Sequence, residues 1–183
     1  MRAYRIRIVV AESRPVVVAG LQHWFRARGR FDLAASVADG AQLIDALASV
    51  ECDLIVLSGG IENIEDIEGQ GDDAFALLRA VRALRPDTPV VIFTDERDPA
   101  ALVAMQRAGA TGIASVLDDA RAFERVCDRV LSGAKHVVST RIAACSQPVA
   151  EAPIVIAAPA EPADASPDYG NMRLNIRQVV GRT

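Results

Sequence analysis

The sequence is poor in the residues that build metal centres and disulfide frameworks. Its 183 residues include three cysteines and two histidines. Cys52, Cys127 and Cys145 lie far apart, with no CxxC pair and no histidine at ligand spacing. This distribution argues against a zinc site and against a disulfide framework. Cys52 and Cys127 fall in apolar patterns and are expected to be buried, inert thiols.

Long apolar runs and a strong excess of one charge are also absent. Hydrophobic residues make up 51% of the chain, but no apolar run approaches the roughly 18–20 residues that span a bilayer. The charged first residues are not followed by the apolar segment of a signal peptide. The net charge of -4 provides no general attraction to nucleic acid or to an anionic membrane. We therefore expect a cytoplasmic protein without membrane contact.

Five strand-like runs alternate with five segments of helical periodicity. The runs are 6–11, 31–37, 53–57, 89–94 and 111–116. The segments between and after them carry apolar residues at helical spacing and end at breakers such as Gly29, Pro86, Gly109 and Gly133. This alternation predicts an α/β fold, a doubly wound (βα)5 parallel sheet with helices on both faces.

The composition changes after this series. We place the α/β domain at 1–139, an Ala/Pro-rich linker at 140–170 and a short basic tail at 171–183. Five prolines fall between positions 146 and 168, which predicts an extended linker. The tail is amphipathic, because its apolar positions fit helical spacing beside three arginines.

At the carboxyl end of the third predicted strand, Ser58 is followed by two glycines and an acidic loop. In open parallel sheets, binding and chemistry collect beyond the carboxyl ends of the strands. The loop carries five carboxylates, at Glu62, Glu65, Asp66, Glu68 and Asp72. Their order lacks the pattern of a calcium-binding loop, so no metal site is predicted there.

The order of elements and several short strings resemble the receiver domain of two-component response regulators of the NarL/FixJ type. The strings are 8–15, 20–21, 38–40, 53–57, 85–90, 108–112 and 132–133. The resemblance implies a CheY-like, flavodoxin-like fold with strand order 2-1-3-4-5. It also implies a role in two-component signal transduction, in a phosphorelay or in transcription regulation.

The chemistry of that family needs five positions at the ends of the strands. Two acids after the first strand hold magnesium, an aspartate ending the third strand accepts the phosphoryl group, and a hydroxyl residue and a lysine contact its oxygens. The resemblance places Glu12, Ser13, Ser58, Thr94 and Val116 at these positions. Because Glu12 and Thr94 alone match, it implies a degenerate phosphorylation pocket that lacks the phosphoacceptor aspartate.

Such a pocket predicts a pseudo-receiver that is not an enzyme and has no catalytic residue and no cofactor. Mg²⁺ binding is expected to be weak or absent, since this ion prefers hard anionic oxygens. For Ser58, one interpretation is a polar strand end bonded to a turn, and the other is phosphorylation by a Ser/Thr kinase. The acidic loop is interpreted as a solvated loop or as an interaction loop for a partner.

The resemblance also suggests surfaces for partners. In receivers, the face formed by the fourth helix, the fifth strand and the fifth helix commonly mediates dimerisation. Five apolar residues fall in that region and belong either to the interface or to the core: Leu102, Met105, Ile113, Phe123 and Cys127. The tail 171–183 resembles the start of a helix-turn-helix domain, and is either a truncated DNA-binding domain or a short docking peptide.

The leading hypothesis is a signalling module that acts by phosphorylation-independent protein–protein interaction. Its partner would be a sensor kinase, another regulator or a second copy of the chain in a homodimer. One alternative is a DNA-binding transcription regulator acting through dimerisation or a partner, because direct DNA binding is not expected without a full helix-turn-helix. Another is a phosphoacceptor that uses a displaced acid such as Asp66, or Ser58.

Overall fold

A computed structural model describes residues 5–59, 61 and 75–146, and within these ranges six strands alternate with six helices. In chain order they are β1 (Ile6–Ala11), α1 (Pro15–Arg28), β2 (Phe31–Val37), α2 (Gly40–Ser49), β3 (Leu54–Ser58), α3 (Ala76–Leu84), β4 (Val90–Thr94), α4 (Pro99–Arg107), β5 (Gly112–Ser115), α5 (Ala120–Leu131), β6 (Val137–Val138) and α6 (Thr140–Ser146). The five acidic loop residues, the tail and the linker after Ser146 lie outside the described residues.

All strands belong to one parallel sheet with the order β2-β1-β3-β4-β5-β6. The predicted (βα)5 fold and its strand order 2-1-3-4-5 are therefore confirmed, and β6 is added at the edge of β5. The central strands β3 and β4 are buried along their whole length, because helices cover both faces of the sheet. No helix among the described residues is both long and apolar enough to cross a bilayer.

The alternation of side chains along each strand divides the core into two layers. Val9 points to the layer that contains residues of α2, α3 and α4, whereas Ile8 and Val10 point to the layer of α1 and α5. The five apolar residues assigned by resemblance to the dimerisation face are all buried in these layers. They therefore act in the core.

The helix ends follow local signals that were visible in the sequence. Asp39, Asp98 and Asp119 each accept hydrogen bonds from backbone N–H groups in the first turns of α2, α4 and α5. Helix α1 begins at Pro15 and is closed by Gly29, whose φ of 66° requires the left-handed conformation that glycine adopts without strain.

The structure differs from the sequence-based domain boundary at residue 139. Strand β6 pairs with β5, and α6 occupies the first residues of the segment predicted to be a linker. Ile142 of α6 is buried in the same layer as Leu102, Met105 and Ile113. A two-residue strand and a seven-residue helix carry too little periodicity to be recognised locally. Their formation depends on contacts with β5 and on the burial of Ile142 in the core.

Candidate functional site

Buried polar side chains collect at the carboxyl edge of the sheet. Glu12 follows β1, Ser58 ends β3, Thr94 ends β4 and Ser115 ends β5, and each is less than 7% exposed. The parallel register aligns these strand ends at one edge. Buried polar groups otherwise tend to be rare in a sheet core, so their concentration here marks the edge as the candidate site.

Three of the five sequence-predicted pocket residues are buried at this edge: Glu12, Ser58 and Thr94. Ser13 lies beside Glu12 but is exposed to solvent. Val116 is half-buried, and its backbone N–H donates to the carbonyl oxygen of Thr94 at 2.9 Å. Val116 therefore contributes an apolar side chain and no cation to this edge.

Arg14 completes the site and was not identified from the sequence. Its Nε and Nη2 atoms donate to Oε1 and Oε2 of Glu12, each at 2.9 Å. Its backbone N–H also donates to Oε1 of Glu12 at 2.9 Å. A fourth contact joins Arg14 Nη2 to Ser58 Oγ at 3.5 Å. The signal that could have identified Arg14 is an arginine two residues after an acid at the end of the first strand.

This arrangement shifts the pKa values of both Glu12 and Arg14. Burial by itself would raise the pKa of Glu12, but hydrogen bonds from Arg14 and Ser58 and the charge of Arg14 together lower that pKa below its usual value of 4.5. The hydrogen bond to Glu12 raises the pKa of Arg14, and the negative charge of Asp95 also raises it. Glu12 is therefore a carboxylate at neutral pH although its side chain is 1% exposed.

Ser58 is part of the same hydrogen-bond network. Its hydroxyl bonds to the carboxylate of Glu12, and its Oγ faces Arg14 Nη2. The hydroxyl thus lies between an anion and a cation at the carboxyl end of β3. The interpretation of Ser58 as a polar strand end bonded to a turn stays a prediction, as does its phosphorylation by a Ser/Thr kinase.

The hydroxyl groups of Thr94 and Ser115 accept hydrogen bonds from the loops that follow their strands. Thr94 Oγ1 accepts from the backbone N–H of Glu96 at 3.1 Å, and Ser115 Oγ accepts from that of Leu117 at 3.2 Å. Gly59 packs closely on Thr94, since a Cβ added at Gly59 would lie 2.6 Å from Thr94 Oγ1. These contacts place Thr94 between the β4–α4 loop and the residue after Ser58.

A divalent cation, which the resemblance would imply, does not fit this set of donors. Both oxygens of Glu12 are engaged by the Arg14 guanidinium, and Ser58 and Thr94 offer neutral oxygens. Among the described residues, no group of three histidine, cysteine, aspartate or glutamate side chains is arranged to hold a metal ion. Mg²⁺ requires several hard oxygen ligands in octahedral geometry, which one engaged carboxylate does not supply.

No family model matches the chain, but curated proteins and solved structures are similar to it. An uncharacterized transcriptional regulatory protein of Bacillus subtilis, YhcZ, is 24% identical over 137 residues, which are 75% of this chain and 59% of the relative. A probable transcriptional regulatory protein of Hyphomicrobium methylovorum, SgaR, is 26% identical over 117 residues, which are 64% of this chain and 52% of that relative. The chain thus spans between half and three fifths of the length of these relatives.

Solved structures of response regulators share the fold. The response regulator RcsB of Salmonella typhimurium matches with a TM-score of 0.69 at 15% identity, over 78% of this chain and 66% of that chain. The isolated receiver domain of RcsB matches with a TM-score of 0.67 at 15% identity, over 78% of this chain and 99% of its own length. A LuxR-family response regulator from Aurantimonas sp. matches with a TM-score of 0.66 at 20% identity, over 78% of this chain and 95% of that chain. The described domain therefore has the fold of response-regulator receiver domains, as the sequence predicted.

Proposed function

We propose that this chain is a pseudo-receiver that acts in signal transduction or transcriptional control by protein–protein contact, independently of phosphorylation. The observation that carries the proposal is Ser58, a buried serine at the end of β3 whose hydroxyl is bonded between Glu12 and Arg14. In receivers this position is the nucleophile. A neutral hydroxyl is a much weaker nucleophile than a carboxylate unless a base removes its proton.

Among the described residues, the carboxylate bonded to Ser58 is poorly suited to activate it. A serine becomes a nucleophile when a neighbouring base removes its proton. Glu12 is the carboxylate in contact with Ser58, but its lowered pKa and its pairing with Arg14 make it a weak base at neutral pH. We therefore expect no phosphotransfer and no other enzymatic activity at this edge.

The partner in this proposal is a protein: a sensor kinase, another regulator or a second copy of the chain. The names of the two curated relatives support a place in transcriptional control. The cytoplasmic location predicted from the sequence belongs to the same proposal, because sensor kinases and transcription are reached from the cytoplasm.

The proposal is tested by intact-mass measurement after incubation of the full chain with acetyl phosphate and Mg²⁺. A receiver domain with all five family residues is the positive control, and beryllofluoride with near-ultraviolet circular dichroism reports binding that does not survive mass analysis. We expect an unchanged mass and an unchanged spectrum. A gain of about 80 Da would overturn the proposal. Peptide mapping would then locate the acceptor and distinguish Ser58 from a displaced acid such as Asp66.

A second candidate function is DNA-bound transcription regulation through dimerisation or a partner. It is favoured by the similarity to a response regulator, RcsB, whose solved structures include a complex with DNA and dimers bound to DNA. A gel shift with the full chain at low and at physiological salt tests it, with the oligomeric state measured by light scattering. Retarded DNA at physiological salt would favour this candidate. Binding that disappears between the two salt concentrations would indicate nonspecific phosphate contact.

A further inference from the structure

Arg14 and Glu12 form an ion pair whose two members differ sharply in exposure. The side chain of Glu12 is 1% exposed, whereas that of Arg14 is 50% exposed. A carboxylate removed from water in this way is unstable unless a cation or several donors compensate for the lost hydration. Arg14 supplies both the cation and the donors, since its guanidinium is positively charged and three of its N–H groups donate to the two oxygens of Glu12.

The guanidinium also reaches across the edge of the sheet. From its attachment after β1 it contacts Ser58 at the end of β3, and it interacts with the charge of Asp95 after β4. One cation thus bridges residues at the ends of β1 and β3, and the charge of Asp95 after β4 acts on it without a direct contact being observed. In a receiver pocket with a metal, that connection would be made by the divalent ion together with its acidic ligands.

We propose that the Arg14 guanidinium is an internal replacement for the divalent cation of the receiver pocket. It neutralises Glu12, occupies both oxygens that a metal would need, and holds the strand ends in one arrangement without any bound ligand. A metal ion entering this pocket would compete for the same oxygens and would be repelled by the guanidinium. This inference depends on the function proposed above in one respect, because both assign Glu12 and Ser58 to the receiver pocket.

The test compares two triple variants of the full chain that carry the same net charge. Ser13→Asp and Ser58→Asp restore the acids of the family in both. The first variant adds Arg14→Ala, and the control adds Arg26→Ala, which removes an exposed arginine near the end of α1. Mn²⁺ is the probe, and its free concentration is measured by electron paramagnetic resonance. Thermal melts establish that both variants fold.

We expect the variant without Arg14 to bind Mn²⁺ at least about tenfold more tightly than the control, because ligand charge and free oxygens set the affinity of such sites. Equal affinities, whether both weak or both strong, would overturn the proposal. The matched charge matters because general electrostatic attraction of Mn²⁺ is then the same for both proteins.

A second measurement uses the wild-type chain and does not depend on the folding of any variant. The side-chain carbon resonance of Glu12 is followed by NMR during addition of millimolar Mg²⁺. We expect no shift, because Arg14 holds both carboxylate oxygens. A saturable shift would overturn the proposal. Labelling of the wild-type chain by acetyl phosphate would contradict the proposed function, but it would leave the comparison of Mn²⁺ affinities valid.

Discussion

The guanidinium of Arg14 forms two parallel hydrogen bonds of 2.9 Å to the buried carboxylate of Glu12. Paired donors of this kind are among the stronger polar contacts in proteins, since both the donor and the acceptor are charged. The contact lies at the carboxyl edge of the sheet, where β3 ends at Ser58 and β4 ends at Thr94. It places a charged pair among the buried polar residues of this edge.

Removal of the arginine should destabilise the fold in a pH-dependent way. In Arg14→Ala, Glu12 stays buried without its cation, so we expect a loss of about 1–3 kcal/mol at pH 7, which is below the value for a fully buried pair because Arg14 is half exposed. Urea unfolding followed by the fluorescence of the single tryptophan, Trp24, measures the loss. Arg26→Ala is the control and should change the free energy of unfolding by less than about 0.5 kcal/mol.

The sign of the pH dependence follows from the lowered pKa of Glu12. A carboxyl group with a lower pKa in the folded than in the unfolded chain stabilises the fold above the unfolded value, and this contribution is lost as the pH falls through the folded value. The difference between wild type and Arg14→Ala should therefore be largest at neutral pH and shrink below the ordinary pKa of 4.5. A difference that grows on acidification would contradict the assigned ion pair.

Substitution of Gly59 should displace Thr94. An alanine Cβ at Gly59 would lie 2.6 Å from Oγ1 and 2.9 Å from Cβ of Thr94, so one of the two residues must move. We expect Gly59→Ala to cost about 1–3 kcal/mol and to shift the methyl resonance of Thr94. Gly20→Ala provides the matched control, because nothing lies within 4 Å of an added Cβ there. In the middle of α1 this change should stabilise the protein by up to about 1 kcal/mol.

Helix α6 should contribute to the stability of the domain. Ile142 is 2% exposed and packs in the layer that includes Leu102 and Ile113. We expect Ile142→Ala to lower the free energy of unfolding by about 2–4 kcal/mol and Ile142→Val to lower it by about 0.5–1.5 kcal/mol. Chemical denaturation of the full chain measures both. If neither variant differs from wild type, α6 is not part of the cooperative core.

The cysteines should differ in their reaction with a thiol reagent. Burial raises the pKa of Cys127 to about 12, and its side chain is fully enclosed in the layer of α1 and α5. Cys145 is half-buried and lies in the last helix. Because the thiolate is the reactive form, Cys127 should be labelled last in native buffer and at the rate of the other cysteines in denaturant. Peptide mapping by mass spectrometry resolves the three sites.

Much of the fold was predictable because it depends on local patterns. Runs of β-branched residues, apolar residues at helical spacing, and caps such as Asp98 and Gly29 are set by the preferences of neighbouring residues. Their order along the chain then leaves few topologies for a parallel sheet. The same logic placed Ser58 at the carboxyl edge of the sheet. The family resemblance, and not the local pattern, indicated Glu12 and Thr94 as its neighbours.

The tertiary structure decided features that depend on distant contacts. Strand β6 and α6 form because β6 pairs with β5 and because Ile142 is buried in the core layer that includes Leu102 and Ile113. Neither condition can be read from the residues of β6 and α6 themselves. That Phe123 belongs to the core and not to a dimer interface was likewise resolved only by the packing of α5 on the sheet.

The sequence by itself determined the order of elements and the parallel sheet, because these follow from residue identity and short-range periodicity. Only the tertiary structure showed that the side chain of Arg14 points to Glu12 and Ser58. A long, charged side chain can point into solvent or fold back on its neighbours, and the choice depends on where the strands bury their acids. Here the burial of Glu12 beside Ser58 makes the inward direction favourable, and the cation of this pocket is part of the chain.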